Sequence, residues 1–285
     1  MGSRPRRARL ADSPPPRSRD GAIGGEQVEG RRAVAALLGS RRHVREVWLA
    51  EGQGTDRVLA DIGRQAARRR VPVRVVSRDR LQAIATTTAP QGVVARAAPL
   101  AETDLDELLG GTGRNGEPPF LLAVEGVTDP QNLGALLRSA EVAGVTGVLL
   151  GRARGVRVTP TVAKAAAGAI ETLRFALVAG IPAALARARE RALWTVGLAA
   201  DGDEPLFGLA LADQPLVVVV GAEGQGLSRL ARARCDVVAR IPMEGQVRSL
   251  NVAVAGALGL FEVRRRRVAG TKASLPPIDT PSPPG

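Results

Sequence analysis

The chain has 285 residues, enough for about two domains, and a formal net charge of +12, which suits a polyanionic partner such as RNA or DNA. Nearly all of its cations are arginine, Lys164 and Lys272 being the only lysines, and genome composition alone can produce such a bias. One cysteine (Cys235), one histidine (His43) and no tyrosine exclude a disulfide framework, a cysteine-rich metal site and an aromatic stacking platform, and leave a histidine base or ligand set without support.

Residues 1–24, rich in Pro and Arg, read as a disordered basic arm without the apolar core of a secretory signal. Residues 25–98 read as a small α/β domain. Val28–Leu38 has helical spacing, Val44–Ala50 and Val71–Val76 read as strands, and Asp56–Arg70 reads as a helix ending in three arginines. Those arginines suit either the helix dipole or a phosphate. Ser77 is placed to cap a short helix, and Gln91–Ala97 closes the domain as a strand. Residues 99–118, with clustered Gly and then Pro118-Pro119, read as a linker.

The second domain, 119–267, alternates strands and helices and so predicts a mainly parallel sheet. Strands are expected at Phe120–Glu125, Gly147–Leu150, Leu173–Val178, Leu193–Leu198, Leu216–Val220 and Val237–Ile241, with helices at Leu133–Ala143, Thr159–Ala169 and Pro182–Arg191. A final Ala-rich helix follows Asn251. The last two strands end in a glycine-rich turn, Gly221–Gly226, and in the loop Met243–Arg248. Both loops should reach the same sheet edge, where ligands bind in open α/β folds. Residues 268–285 read as a disordered Pro-rich tail. No apolar run approaches the ~18–20 residues of a membrane span, and a reducing, cytoplasmic setting is expected.

The glycine turn fits neither the P-loop pattern nor G-x-G-x-x-G. Polar residues cluster near strand ends: Asn132, Glu223, Ser249 and Asn251, with Arg138 further along its helix. Each has a bland reading. Asn132 and Ser249 can be helix caps, Glu223 can tie down its own turn, and Arg138 can pair with Glu141. Together, beside glycine turns, they point to a site.

The run Glu125-Gly126-Val127-Thr128-Asp129-Pro130-Gln131-Asn132 through Arg138-Ser139-Ala140 resembles the first motif of the SpoU family of RNA ribose 2′-O-methyltransferases. Val220–Leu227 resembles the second motif, and Ile241-Pro242-Met243 through Ser249-Leu250-Asn251-Val252-Ala253-Val254-Ala255 the third. Gly30, Val34, Leu37-Leu38, Val47 and Gln91–Ala95 are similar to the L30e-like substrate-binding domain of that family. The layout most resembles the bacterial 23S rRNA guanosine-2′-O-methyltransferases. Gln131 and Ala253 stand where His and Ser are frequent, and Pro90 where related chains often have His.

The resemblance implies an L30e-like α/β domain followed by an α/β-knot methyltransferase domain with a deep trefoil knot, a fold that periodicity could not reveal. It implies S-adenosylmethionine as cofactor and no metal, RNA as partner with rRNA favoured over tRNA, and a homodimer with its sites near the interface. Gly221, Ile241 and Leu250 would contact the cofactor, and Asn132, Arg138, Glu223, Ser249 and Asn251 would form the catalytic, RNA-facing set. The same chemistry on tRNA, a non-catalytic RNA-binding or ribosome-assembly protein, and a small-molecule nucleotide enzyme are the alternatives.

Overall fold

The computed structural model describes residues 23–52, 56–113, 116–152, 157–246 and 249–270. Most of the expected basic arm and most of the expected Pro-rich tail lie outside the described residues.

The small domain holds a mixed sheet of β1 (Gln27–Glu29), β2 (Val44–Ala50), β3 (Val73–Val76) and β4 (Val93–Ala97), in the order β1-β4-β2-β3. Helix α1 (Arg31–Gly39) follows β1. Helix α2 (Arg57–Arg68) crosses from β2 to β3, the one parallel pair. Helix α3 (Arg78–Ile84) is capped by Ser77, whose hydroxyl accepts the Arg80 amide. Of the three arginines that close α2, Arg69 donates to the carbonyls of Leu37, Leu38 and Arg42. It satisfies the open C-terminal end of α1 while remaining exposed.

The larger sheet has seven strands in the order β7-β6-β5-β10-β8-β11-β9, and every neighbouring pair is parallel. Its strands are β5 (Phe120–Val124), β6 (Gly147–Gly151), β7 (Phe175–Val178), β8 (Trp194–Leu198), β9 (Glu204–Pro205), β10 (Leu216–Val220) and β11 (Val237–Arg240). The central pair registers Leu216 against Phe120, and all ten of its residues are buried, as a sheet covered on both faces requires.

Alternate residues serve opposite layers. Leu122, Val124, Val218 and Val220 join a core with α5 (Pro130–Ala143), α6 (Pro160–Ala165) and α9 (Val252–Gly270). Leu121, Ala123, Val217 and Val219 face α4 (Leu105–Leu109), α7 (Ile181–Glu190) and α8 (Arg229–Arg234). Among the described residues no helix is long and apolar enough to cross a membrane.

Three expected boundaries shift, the first two because apolar side chains find cover. The segment expected as a linker, 99–118, contains α4, which buries Leu108 and Leu109, and the Thr103 amide donates to the Phe175 carbonyl. The expected arm does not extend through residue 24: Ile23 is buried and the Gly25 amide donates to the Val158 carbonyl. The final helix continues past residue 268 to Gly270. Near that end the buried Arg267 donates to the carbonyls of Ala212, Pro118, Pro119 and Gln214 and lies over the Phe120 ring.

One apolar core runs through both domains. A 3₁₀ turn, Ala169–Glu171, presses on α1 so closely that a Cβ on Gly168 would stand 2.4 Å from Ala36 Cβ. Beside it, Arg42 meets Glu171 at 2.5 Å, the two side chains only 9% and 3% exposed. Burial raises the Glu171 carboxyl above its ordinary value, against the attraction of Arg42. The small domain thereby packs directly on the larger one.

Candidate active site

Because the seven strands are parallel, their C-terminal ends bring the following loops to one edge. The turn after β10 is closed on itself: the Ala222 amide donates to the Gly226 carbonyl and the Gly226 amide to the Ala222 carbonyl. A Cβ on Gly221 would lie 2.1 Å from the Gly226 carbonyl carbon, so only glycine fits there. Gly224 and Gly226 adopt φ of +75° and +64°. Glu125, at the end of β5, accepts both the amide and the hydroxyl of Ser228 and so fixes the exit of the turn.

A cavity of about 450 Å³ opens between this turn, the loop after β8 and the loop after β11. That volume falls in the usual range for a small-molecule or cofactor site. Leu198, Val220 and Leu250 give it apolar walls, backbone of Gly221–Gly226 gives it polar ones, and Asp201 and Glu223 lie at its edge. The Arg232 hydrogen bond holds the Asp201 carboxyl below its usual range. A ligand that combines apolar surface with groups that bond backbone fits this lining. Among the described residues no cluster of His, Cys, Asp and Glu could hold a metal ion. Burial pushes the Cys235 thiol up to about 11, which makes it a protonated core residue at neutral pH.

At the cavity mouth three polar side chains bond one another. Glu223 Oε1 accepts from Asn132 Nδ2 at 2.6 Å and from Asn251 Nδ2 at 3.0 Å, and Asn251 Nδ2 also reaches Asn132 Oδ1 at 2.8 Å. Neither cap alternative for Asn132 and Ser249 holds. Asp129 caps α5, accepting from the amides of Gln131 and Asn132, with Pro130 in the first turn. The helix therefore starts three residues earlier than expected, and the Asn132 side chain is free for the cluster. Asn251, not Ser249, caps α9, through the amides of Ala253 and Val254.

Gly221, Ile241, Leu250 and Ser249 line the cavity. Arg138 stands elsewhere. Six residues separate it from Asn132, about 240° around the helix, so it projects on the α6 side of α5 while Asn132 projects toward α9. It shares a second cleft with Gln131 and Lys164.

Residues 119–261 match the model of the SpoU rRNA Methylase family, and 27–103 match that of RNA 2′-O ribose methyltransferase substrate binding. Across 244 residues the chain is 43% identical to the 23S rRNA (guanosine-2′-O-)-methyltransferase RlmB of Shewanella oneidensis, covering 84% of this chain and 97% of that protein. The chain belongs to the SpoU rRNA methylase family. RlmB of Pseudomonas aeruginosa is likewise 43% identical, over 85% of this chain and 97% of that one. The SpoU methyltransferase AviRb of Streptomyces viridochromogenes, solved in complex with the cofactor AdoMet, superimposes with a TM-score of 0.70 at 25% identity, over 86% of this chain and 91% of that chain. The all-parallel sheet with its site on late-strand loops is the architecture of the α/β-knot class.

Within this SpoU domain, sequence reasoning passed over the loop after β8, Ala199–Asp201, which lines the cavity. The signal was present: β8 is itself a parallel strand, so its following loop had to reach the same edge.

Proposed function

We propose that this chain transfers a methyl group from S-adenosylmethionine to the ribose 2′-hydroxyl of a guanosine in 23S rRNA. The observation that carries the reading is the Asn132–Glu223–Asn251 cluster set at the mouth of a cofactor-sized cavity, in a chain whose curated relatives carry that activity in their names. A cytoplasmic location follows from that substrate.

The cofactor supplies an activated methyl on a sulfonium, so the chain must mainly position the nucleophile. In this reading Gly221, Ile241 and Leu250 hold the cofactor, through backbone groups and apolar contact. The mutually bonded amides of Asn132 and Asn251 and the Glu223 carboxylate hold the ribose, with Ser249 beside them. Arg138 clamps the adjacent phosphate and stabilises the alkoxide that develops as the proton leaves. A guanidinium stays protonated and is a poor base.

A homodimer completes the arrangement. Leu250, Val254, Phe261 and Val268 on or just before α9, and Val142 on α5, are 40–61% exposed. Val254, Phe261 and Val268 recur every seven residues, so they share one face, and α9 packs against α5 where Gly256 meets Leu136. An apolar stripe of that kind is cover for a partner helix. Arg138 projects from the same exposed side of α5 as Val142. Its separation from the cavity of its own chain favours action on the cavity of the partner.

The test is methyl transfer from labelled S-adenosylmethionine to deproteinised rRNA and tRNA pools, with the product nucleoside identified by mass. The expected product is 2′-O-methylguanosine in 23S rRNA. Arg138→Ala should lose about 100-fold or more in kcat, with cofactor affinity by calorimetry within a few-fold of wild type. Loss of cofactor binding in a folded Arg138→Ala protein would refute its assignment. Absence of transfer to every RNA pool would refute the activity.

A further inference from the structure

A second cleft, of about 480 Å³, runs between the small domain and the helices α5 and α6, apart from the cofactor cavity. Its walls carry Arg31 and Arg32 from the start of α1, Gln91 from the loop before β4, Gln131 and Arg138 from α5, and Lys164 from α6. The one carboxylate in its lining, Glu29, is already engaged, and so is Asp56 behind Arg31. Glu29 is fully buried and accepts from Gln27 Nε2, the Thr86 and Thr87 amides and the Thr87 hydroxyl. Asp56 takes Arg31 at 2.5 Å and caps α2 as well.

The remaining cations have charge to spare. Arg32 and Arg138 are exposed and make no hydrogen bond or ion pair among the described residues. Lys164 donates to the Ala89 carbonyl, a neutral partner that leaves its charge uncompensated and two N–H groups free.

The cleft is also built to keep its shape. Glu29 pins Thr86 and Thr87, Lys164 holds Ala89, and the Arg31 amide and Nε hold Gln91 through its side chain and carbonyl. A Cβ on Gly30 would meet Gln91 Oε1 at 3.2 Å and Lys164 Cγ at 3.3 Å, so the two domains touch there directly. The buried Arg42–Glu171 pair fixes the same domain contact.

Three uncompensated cations along a rigid groove, with no aromatic ring in its lining, match a sugar–phosphate backbone rather than stacked bases. Resting on the RNA methyltransferase reading above, we infer that this cleft holds the RNA strand beside the target nucleotide, its phosphates taken by Arg32, Lys164 and Arg138. Gln91 and Gln131 face the same groove with amides that can donate to and accept from ribose hydroxyls. The strand thus crosses both domains of one chain, and Arg138 is where the groove meets the reacting ribose.

The experiment compares the full chain with Arg32→Ala, Lys164→Ala and, as a control, Arg64→Ala, whose arginine is exposed on α2 and pairs with Asp61. A 23S rRNA fragment is the probe, read by its KM and kcat in methyl transfer and by its equilibrium affinity as a function of salt. Cofactor affinity and the thermal midpoint confirm folding. Arg32→Ala and Lys164→Ala should each raise KM about tenfold, with kcat and cofactor affinity within twofold. Each should also reduce the salt slope of binding by about 0.7, the loss of one phosphate contact on a single strand. Arg64→Ala should behave as wild type. Methyl transfer with wild-type KM and salt slope in both cleft variants would overturn the cleft and leave the activity standing. Salt slopes reduced in the cleft variants of a protein that transfers no methyl would uphold the cleft and overturn the activity.

Discussion

The Asn251 side chain is divided between structure and site. Its Oδ1 accepts the amides of Ala253 and Val254 and so closes the first turn of α9, while its Nδ2 donates to Glu223 and Asn132. The two functions can be separated by substitution, because serine caps a helix about as well as asparagine but offers no amide donor. Asn251→Ser should keep the wild-type midpoint in urea unfolding and lose most turnover. Asn251→Ala should lose the turnover and also about 1 kcal/mol of stability. A destabilised Asn251→Ser protein with normal turnover would reverse the assignment. The sequence showed that Asn132 and Asn251 both stood near strand ends, and it did not show that one carboxylate oxygen of Glu223 would join them. That contact spans 91 residues on one side and 28 on the other, a separation no local pattern records.

Between elements, two glycines set how closely the helices flanking the site approach. A Cβ on Gly134 would lie 2.4 Å from Ala165 Cβ and 2.8 Å from the Val162 carbonyl, and one on Gly256 would lie 2.4 Å from Leu136 Cδ1. Gly134→Ala meets backbone, which cannot step aside, and must push α5 off α6. Gly256→Ala meets the end of a leucine that can rotate. Alanine at position 134 should therefore cost about 1–3 kcal/mol in chemical denaturation, and alanine at 256 clearly less; equal costs would show that the backbone contact does not decide. Much at this scale was legible beforehand. The run Leu216–Val220 is a strand with the bounds that its five apolar residues suggest, and the strand–helix alternation after Phe120 gave a parallel sheet. The strand order was not legible, since β8 lies between β10 and β11 although β10 follows it in the chain. Nor was the start of α5, where Asp129 and Pro130 outcompete Asn132 as the entry signal.

For the whole molecule the question is where Arg138 acts. Its helical offset from Asn132 follows from a spacing of six residues, so the sequence held it once the helix was known, and it places the arginine on the far flank of α5 from the cluster. If a two-fold dimer across the exposed α5–α9 face brings the arginine of one chain to the cavity of the other, it does so in both directions, because such an interface presents the same surface from both sides. This makes a sharp expectation for mixed dimers. Arg138→Ala and Asn132→Ala chains, each inactive as homodimers, can be co-expressed with different tags and the heterodimer isolated by both. If the arginine serves the partner, one of the two sites in that heterodimer joins an intact cavity to an intact arginine, and turnover should return to about half of wild type. The other site carries both lesions. If the arginine serves its own chain, each site keeps one lesion and the heterodimer stays as inactive as its parents. Full methyl transfer by a protein that sediments as a monomer would also exclude the shared arrangement.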